Sequence, residues 1–331
     1  MVNWGIVGPG NIANKFAKSI KNVEGACLYG VASRNREKGE EFAKNYDIPM
    51  VFNSYEEMAQ SKEIQAVYIA TPHPFHLPCA ELFLKNKKHV LCEKPLCVNE
   101  QQAKQLKECA KENNVFLMEA MWTRFLPAIK EAVKMVQKGV IGDVLSLQAD
   151  FCYRSQNPEF SKVYKNEMAG GGLLDVGVYG LHFASLFLGD KVKSIEPCAN
   201  VENGVDLHTV VNIKYENGTI AIISSAININ KPASAYIYGT KGYIYFPCFF
   251  SAQDFYVEVD GKREHIVKNS LGEGFEEEII EADNCINTEK IESDNLPLDE
   301  TIRIIKQMDY IRKKIGVKYS FDEENFKGEA L

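Results

Sequence analysis

The glycine-rich turn Gly8-Pro9-Gly10-Asn11-Ile12-Ala13 constrains the fold of this chain more than any other feature. It follows an apolar strand-like stretch, Val2 to Val7, and opens a helix, which is the context that gives a G-x-G-x-x-A pattern its meaning. Gly8 makes the tight turn, Gly10 admits a pyrophosphate near the backbone amides, and Ala13 allows close helix packing. The alternative is a tight turn without a ligand. The residues predicted to hold the cofactor here are Gly8, Gly10, Asn11 and Ile12.

Strand-like and helical segments alternate through the first third of the chain. A helix after Pro95 is indicated by Asn99 as its cap and by Gln102 at the reciprocal capping position. The alternation predicts a doubly wound parallel sheet, that is, a Rossmann domain over residues 1–122. Its further strands are predicted at Ala26 to Ala32, Ala66 to Ala70, His89 to Cys92 and Val115 to Met118.

After residue 122 the pattern changes to strands separated by turns. Val205 to Tyr215 and Thr219 to Ile227 flank Glu216-Asn217-Gly218, and Asn-Gly between β-branched runs predicts a hairpin. The predicted fold class is therefore α/β, with a C-terminal α+β domain over residues 123–331 built on a large, mainly antiparallel open sheet. We assign substrate binding and oligomerisation to this domain, whose C-terminal helix can pack back on the first. Further segments are strands at Ala235 to Gly239, Tyr243 to Phe246 and Phe255 to Val259, and helices at Phe275 to Asn287 and Leu298 to Ile315.

The end of the second predicted strand distinguishes the two nicotinamide cofactors. An NAD site places a carboxylate there to accept from the ribose 2′-hydroxyl, but this chain has Ser33-Arg34-Asn35-Arg36. Arg34 can pair with a 2′-phosphate or lie over the adenine, Ser33 can donate its hydroxyl, and Lys38 follows closely. The alternative is a solvated basic turn. We predict NADP as the cofactor, with NAD as a possible second.

Two loops after later strands bring candidate site residues to the same edge of the sheet. Thr71, His73 and His76 follow the strand that ends at Ala70, so they are expected to border the cofactor; loop packing is the alternative for the two histidines. Glu93-Lys94-Pro95 follows the strand His89 to Cys92. An ammonium beside an oxidised nicotinamide is pushed towards its neutral form, which suits Lys94 to proton transfer, while Glu93 can orient it.

The second half carries one apolar helix with an acid near its start. Gly170-Gly171-Gly172 opens a stretch that is apolar on nearly every side through Leu188. Asp175 is its acid, and an unpaired buried carboxylate is costly, so Asp175 is paired, caps the helix or faces a polar cleft. Tyr179 lies four positions later, on the same face. The pair favours the cleft.

Together these motifs resemble the Gfo/Idh/MocA oxidoreductase family over almost the whole chain. The resemblance rests on the Gly8 turn, Ala70-Thr71-Pro72, Glu93-Lys94-Pro95, Gly170-Gly171-Gly172 with Asp175-Val176-Gly177, and Gly239-Thr240-Lys241-Gly242. Met118 to Pro127 is similar to the branch that holds dimeric trans-1,2-dihydrodiol dehydrogenase and NADP-dependent D-xylose 1-dehydrogenase. The broader family often has a histidine where this chain has Tyr179, a departure that the same branch shares.

The resemblance implies that Lys94 and Tyr179 flank a reacting hydroxyl, with Asp175 and Trp122 shaping the pocket. The expected reaction moves a hydride between the nicotinamide C4 and a hydroxyl-bearing carbon of a sugar or cyclic vicinal diol. Trp122 is equally well explained as a core or hinge residue. The alternatives are a keto-sugar or deoxyosone reductase, a redox-neutral NAD-dependent glycosidase and a non-catalytic NADP-binding sensor.

Composition narrows the partners to small molecules. The chain has 331 residues and a net charge of −7, which argues against nucleic acid or an anionic membrane as a partner. The first strand starts at the N-terminus, so we expect no signal peptide and a cytoplasmic protein. The nine cysteines include no C-x-x-C pair, so we expect reduced thiols and no metal site. Apolar residues on both sides of Thr219 to Ile227 predict a homodimer or a dimer of dimers, and the alternative is that the chain's own helices cover both faces of the sheet.

Overall fold

The computed structural model describes residues 1–322 of the chain. These residues form two compact units. The first unit contains Met1–Trp122 and Leu271–Ile305, and the second contains Thr123–Ser270 and the segment that begins at Lys306. The functions assigned to the two predicted domains stay predictions.

The first unit is built on a six-stranded sheet in which every neighbouring pair is parallel. The strand order β3-β2-β1-β4-β5-β6 is that of a doubly wound dinucleotide-binding sheet. The strands are β1 (Val2–Val7), β2 (Ala26–Ala32), β3 (Met50–Phe52), β4 (Ala66–Ile69), β5 (His89–Glu93) and β6 (Leu117–Ala120). Strands β1, β4, β5 and β6 are almost wholly buried, as expected for a parallel sheet covered on both faces.

Helices connect these strands and follow the capping signals of the sequence. The Asn99 side chain accepts a hydrogen bond from the Gln102 amide at 3.0 Å, which confirms it as the cap of α5. The helices of the first unit are α1 (Asn11–Ser19), α2 (Arg36–Tyr46), α3 (Tyr55–Gln60), α4 (His76–Lys85), α5 (Glu100–Asn113) and α8 (Phe275–Asn287), and α9 (Leu298–Ile315) begins in it.

The second unit is built on an eight-stranded sheet that is antiparallel except for the pair β7 and β10. Its strand order is β14-β13-β12-β11-β7-β10-β9-β8. The predicted α/β fold class, with one parallel and one mainly antiparallel sheet, is thus confirmed. The strands are β7 (Val144–Cys152), β8 (Val192–Glu202), β9 (Val205–Tyr215), β10 (Ile220–Ala226), β11 (Ala235–Gly239), β12 (Gly242–Phe246), β13 (Asp254–Val259) and β14 (Lys262–Val267), and the helix α6 (Pro127–Gln137) precedes them.

The apolar segment predicted as one helix starts differently from the rest of the helices. Leu173–Gly177 forms a π-helical turn, which continues directly into α7 (Val178–Leu188). Helix α7 packs on β7 and β10, and it does so closely: a Cβ added to Gly180 would meet Ile223 Cγ2 at 2.5 Å. The stretch Asn166–Leu188 is also long and apolar enough to cross a membrane, but 78% of its apolar window is buried in the protein, as in a core helix.

Candidate active site

The glycine turn leaves open space beside the first amides of α1. Gly8 has φ +86°, a conformation that favours glycine, and its N–H donates to the Ala32 carbonyl at 3.1 Å. A Cβ added to Gly10 would meet no protein atom within 4 Å, so protein packing alone does not require glycine there. The first helical amides, at Asn11 and Ile12, have no partner within α1. The open space beside Gly10 and these amides fit a phosphate group.

The basic residues at the end of β2 divide into engaged and available side chains. Arg36 forms an ion pair at 2.8 Å with a glutamate one turn further along α2. Arg34 is exposed and lies over the Phe75 ring, 5.4 Å from its centroid. Within residues 1–322, neither Arg34 nor Lys38 has a carboxylate within ion-pair distance. Ser33 lies beside them and accepts a hydrogen bond from a backbone amide at 3.2 Å. These groups fit the 2′-phosphate of NADP.

His76 ties two of the predicted site loops together. It is fully buried, with Nε2 2.8 Å from the Thr71 carbonyl oxygen and Nδ1 2.9 Å from that of Pro95. Burial lowers the pKa of this imidazole. The geometry supports the loop-packing alternative for His76. His73 is partly exposed, with its ring 5.8 Å from the His76 ring, and its place beside the cofactor stays a prediction.

Lys94 stands directly after β5, in a loop held by buried acids. It is partly exposed, and the peptide bond to Pro95 is cis. The neighbouring Glu93 is 7% exposed; it accepts a short hydrogen bond from the Tyr68 hydroxyl and another from the Lys94 amide at 3.2 Å. Burial raises the pKa of Glu93, and the Lys94 ammonium opposes that rise. Glu93 therefore orients the lysine backbone.

Two further buried carboxyls lie near this loop and were missed by the sequence analysis. Glu119 accepts from the Leu96 amide at 3.0 Å and from the Thr301 hydroxyl at 2.9 Å, so it fixes the chain just after the lysine. Glu278 is fully buried, and neither of its carboxyl oxygens has a hydrogen-bond partner in the described part of the chain. Burial raises the pKa of Glu278, and the neighbouring Glu93 raises it further. Glu119 lies within the motif Met118 to Pro127, which gave it no role of its own, and no motif marks Glu278.

Trp122 follows β6 and is 5% exposed. Its ring stacks on Phe275, at 5.0 Å between centroids and 29° between planes. Phe275 begins α8, more than 150 residues further along the chain, and no sequence signal pairs the two rings. Both interpretations of Trp122, a substrate wall and a core residue, fit this packing.

Asp175 lies on the π-helical turn and is partly exposed. The Tyr153 hydroxyl donates a hydrogen bond to its Oδ2 at 2.6 Å. Burial raises the pKa of the Tyr153 phenol, and the Asp175 carboxylate raises it further, so this hydroxyl keeps its proton at neutral pH. The carboxylate is thus paired with a side chain, one of the alternatives that the sequence left open, and its place in a polar cleft stays a prediction. Tyr153 was missed because the strand before it, β7, was not predicted.

Tyr179 lies in the first turn of α7 among other aromatic rings. It is 7% exposed, and its ring lies 5.3 Å from Phe151 and 5.9 Å from Phe250. Those two rings stack on each other at 4.2 Å. The phenol ring therefore lies against an apolar wall of two aromatic rings.

Comparisons with known proteins identify the family. Residues 2–121 match the family described as "Oxidoreductase family, NAD-binding Rossmann fold" (GFO_IDH_MocA), and residues 129–245 match the "GFO/IDH/MocA C-terminal domain". The chain is 32% identical to trans-1,2-dihydrobenzene-1,2-diol dehydrogenase of Mus musculus, over 97% of this chain and 99% of the mouse protein. It is 30% identical to the Homo sapiens enzyme of the same name, over 97% and 99%.

Solved structures share the fold at lower sequence identity. A 3-ketoreductase from Actinomadura kijaniata, solved with NADP and TDP-benzene, superposes with a TM-score of 0.87 at 22% identity, covering 94% of this chain and 97% of its own. The aldose-aldose oxidoreductase from Caulobacter crescentus, complexed with glycerol, superposes with a TM-score of 0.87 at 21% identity, over 94% and 96%. The resemblance inferred from the motifs is confirmed: the chain belongs to the Gfo/Idh/MocA family of oxidoreductases.

Proposed function

We propose that this protein is an NADP-dependent oxidoreductase that moves a hydride between the nicotinamide C4 and a hydroxyl-bearing carbon of a sugar or cyclic vicinal diol. The substrate is of the D-xylose or trans-dihydrodiol type. The observation that carries the proposal is the similarity, at 30–32% identity over nearly the full length of both chains, to the mouse and human dihydrodiol dehydrogenases. The carboxylate of Asp175 on the π-helical turn and the phenol of Tyr179 on α7 are chemically suited to bind the hydroxyl groups of such substrates.

The cofactor is proposed to be NADP, with NAD as the weaker ligand. The Gly8 turn and the start of α1 would hold the pyrophosphate, and Arg34, Lys38 and Ser33 would hold the 2′-phosphate. The remaining proposed contacts come from the loops after β4 and β5, that is, from Thr71, His73, Glu93 and Lys94, with His76 fixing the loops. When bound, NADP supplies the hydride acceptor.

In the proposed reaction, Tyr179 takes the hydroxyl proton while the carbon gives up its hydride. The positive charge of Lys94 favours the phenolate, because an opposite charge stabilises the ionised form. The two groups can exchange these roles, since interacting groups titrate as a pair. Asp175, oriented by Tyr153, accepts from a neighbouring hydroxyl of the substrate, and Trp122 packs against its apolar face. Lys94 and Tyr179 belong to different units, so their joint action is tested by kinetics.

A substrate screen tests this proposal. Pentoses, hexoses and cyclic trans-diols are offered with NADP or NAD, and reduced nicotinamide is followed by absorbance; keto-sugars are offered with NADPH. We expect turnover of a pentose or diol with NADP. Turnover in the reductive direction alone would identify a keto-sugar reductase. Cofactor that stays bound without net formation of NADPH would identify a redox-neutral glycosidase. Binding of NADP without turnover would identify a sensor.

The cofactor preference has a matched pair of variants. Arg34→Ala removes a guanidinium that no carboxylate engages within residues 1–322, while Arg36→Ala removes one already paired at 2.8 Å. We expect Arg34→Ala to raise the KM for NADP by about tenfold with little change for NAD, because a charged hydrogen bond to phosphate is lost. Arg36→Ala should leave the ratio of the KM for NADP to the KM for NAD unchanged. Equal effects on the two cofactors would contradict the assignment.

We also propose that the outer face of the second sheet pairs with a second copy of the chain. The register places a row of tyrosines from β11, β12 and β13 on one face, where Tyr236 stacks on Tyr245 at 4.5 Å. Ile220 and Ile222 are 43% and 37% exposed on the same face. Such exposed apolar surface marks an interaction site. Sedimentation is expected to give a dimer or tetramer; a lone 37.3 kDa species would disprove this.

The remaining predictions concern the protein's surroundings. We propose a cytoplasmic location and a small-molecule substrate, and the net charge of −7 supports the absence of nucleic-acid and anionic-membrane partners. Cell fractionation tests the location directly. Recovery of the protein with membranes would contradict it.

A further inference from the structure

The start of the π-helical turn is clamped by one buried carboxylate. Gly171 has φ +123°, and a Cβ added to it would lie 2.2 Å from Asp206 Oδ1. The second oxygen, Asp206 Oδ2, accepts from the Leu173 amide at 2.7 Å and from the Thr209 hydroxyl at 2.9 Å. Leu173 is the first residue of the turn that carries Asp175. Asp206 therefore holds the chain two residues before Asp175, the carboxylate proposed to bind the substrate.

This carboxylate is costly to keep, which distinguishes it from an ordinary helix cap. Asp206 is 0% exposed, and its Oδ1 has no hydrogen-bond partner within residues 1–322. Burial raises its pKa to about 6, so it is charged at neutral pH. A cap that only had to accept hydrogen bonds would be served by asparagine or serine. The charge makes the bond to the Leu173 amide stronger and more directional than a neutral bond.

The charged groups that face Asp206 do not neutralise it locally. Arg312, on α9, is the cation that acts on it, but that guanidinium already binds Asp322 at 2.7 and 3.0 Å and Asp309 at 2.6 Å. Tyr319, whose hydroxyl donates to the Gly170 carbonyl, is the other titratable neighbour; burial raises the pKa of this phenol, so it stays neutral. The Asp206 carboxylate therefore interacts mainly with the Leu173 amide at the start of the π-helical turn.

We propose that Asp206 is a positioning residue of the oxidoreductase: by anchoring the Leu173 amide it places Asp175 and the start of α7, which carries Tyr179. The inference rests on the proposed function, because it assigns Asp206 a role in catalysis through those two residues. It predicts a defect in turnover rather than in cofactor binding, since the nucleotide turn belongs to the other unit.

The test compares Asp206→Asn with Asp190→Asn, an exposed acid of the same unit. Asp206→Asn keeps an acceptor for Leu173 and removes the charge. We expect kcat to fall about tenfold, the loss of one charge-assisted bond, with the Kd for NADPH unchanged. Hydrogen exchange of the peptide covering residues 171–179 should become faster. In Asp190→Asn both readouts should match the wild-type protein.

Two further measurements separate positioning from general destabilisation. The wild-type kcat should decline as the pH falls through about 6, where Asp206 becomes protonated, and this decline should be missing in Asp206→Asn. If that variant does not fold, Thr209→Val removes one donor to the same oxygen, keeps the charge, and should give a smaller change of the same sign. Unchanged kcat and exchange in a folded Asp206→Asn would overturn the inference. If the wild-type protein turns over no sugar or diol, the proposed function fails, and hydrogen exchange alone decides whether Asp206 holds the turn.

Discussion

The two units hold the residues proposed for catalysis by different means. In the first unit, Lys94 follows a buried parallel strand, and the loop is held by main-chain contacts of His76 and by hydrogen bonds to Glu93 and Glu119. In the second unit, Asp175 stands on a π-helical turn whose geometry depends on a buried acid and on close backbone approach. Placing a residue at the carboxyl end of a buried strand is common to parallel sheets. The π-helical turn, in contrast, depends on a few contacts between residues that are distant in sequence.

The largest expected effect tests whether the two halves act on one reaction. Lys94→Met is expected to lower kcat about a thousandfold while NADP still binds, because a charge next to the transferred proton is lost. Tyr179→Phe should give a loss of the same order. Steady-state kinetics of the double variant completes the cycle: groups that act as a unit give strongly non-additive losses. Additive losses would show that the two residues act independently.

The second prediction concerns what glycine does in each half. Gly171→Ala is expected to lower the free energy of unfolding by about 3 kcal/mol or more, because the added methyl meets Asp206 and the φ of +123° disfavours alanine. Gly10→Ala meets no protein atom, so it should leave stability nearly unchanged and weaken NADP binding instead. Denaturant unfolding and cofactor titration are measured for both variants. Equal losses in the free energy of unfolding would contradict the different roles assigned to the two glycines.

A smaller effect is expected at the residue that orients the carboxylate. Tyr153→Phe removes the donor to Asp175 Oδ2 and should reduce kcat/KM about tenfold, as for one charged hydrogen bond. Cofactor affinity serves as the internal control, because it depends on the other unit. A wild-type kcat/KM would mean that the bond is structural.

The smallest effect distinguishes two buried acids with similar titration. Burial raises the pKa of Asp283, in the first unit, from 3.8 to about 6, while its Oδ1 accepts from the Trp4 indole at 2.9 Å. Because the folded protein holds this proton more tightly than the unfolded chain, the contribution of Asp283 to the free energy of unfolding is fully present below pH 3.8. It is lost as the pH rises to about 6. Asp283→Asn should therefore increase the free energy of unfolding at pH 8 by about 1–2 kcal/mol relative to wild type. We expect kcat to stay the same, unlike in Asp206→Asn.

The sequence predicted the parallel sheet well because its signals are local. The glycine turn, the apolar strands and the Asn99 cap each lie within a few residues of the element they define. Strands β8 and β14 were missed, since their charged, half-exposed residues do not show the apolar alternation of a buried strand. Strand β3 has only three residues, too few for a pattern.

Motifs point to candidate residues after a strand and at the start of the apolar helix, but not to residues that act through distant contacts. Lys94 and Asp175 were found from motifs, and their roles stay predictions. Tyr153, Phe275 and Asp206 were missed, because each acts through a partner that lies far away in sequence, such as Leu173 for Asp206. The π-turn was likewise expected as ordinary helix, since periodicity does not show an extra residue per turn.

The buried ring of His76 has one mechanical consequence. Its two nitrogens lie 2.8 and 2.9 Å from the carbonyl oxygens of Thr71 and Pro95, so one ring packs between the segments after β4 and β5, and in its neutral form it donates its single N–H to one of these carbonyls. Displacing either segment would disturb the packing of this same ring, which couples the position of Thr71 to that of the backbone at Pro95.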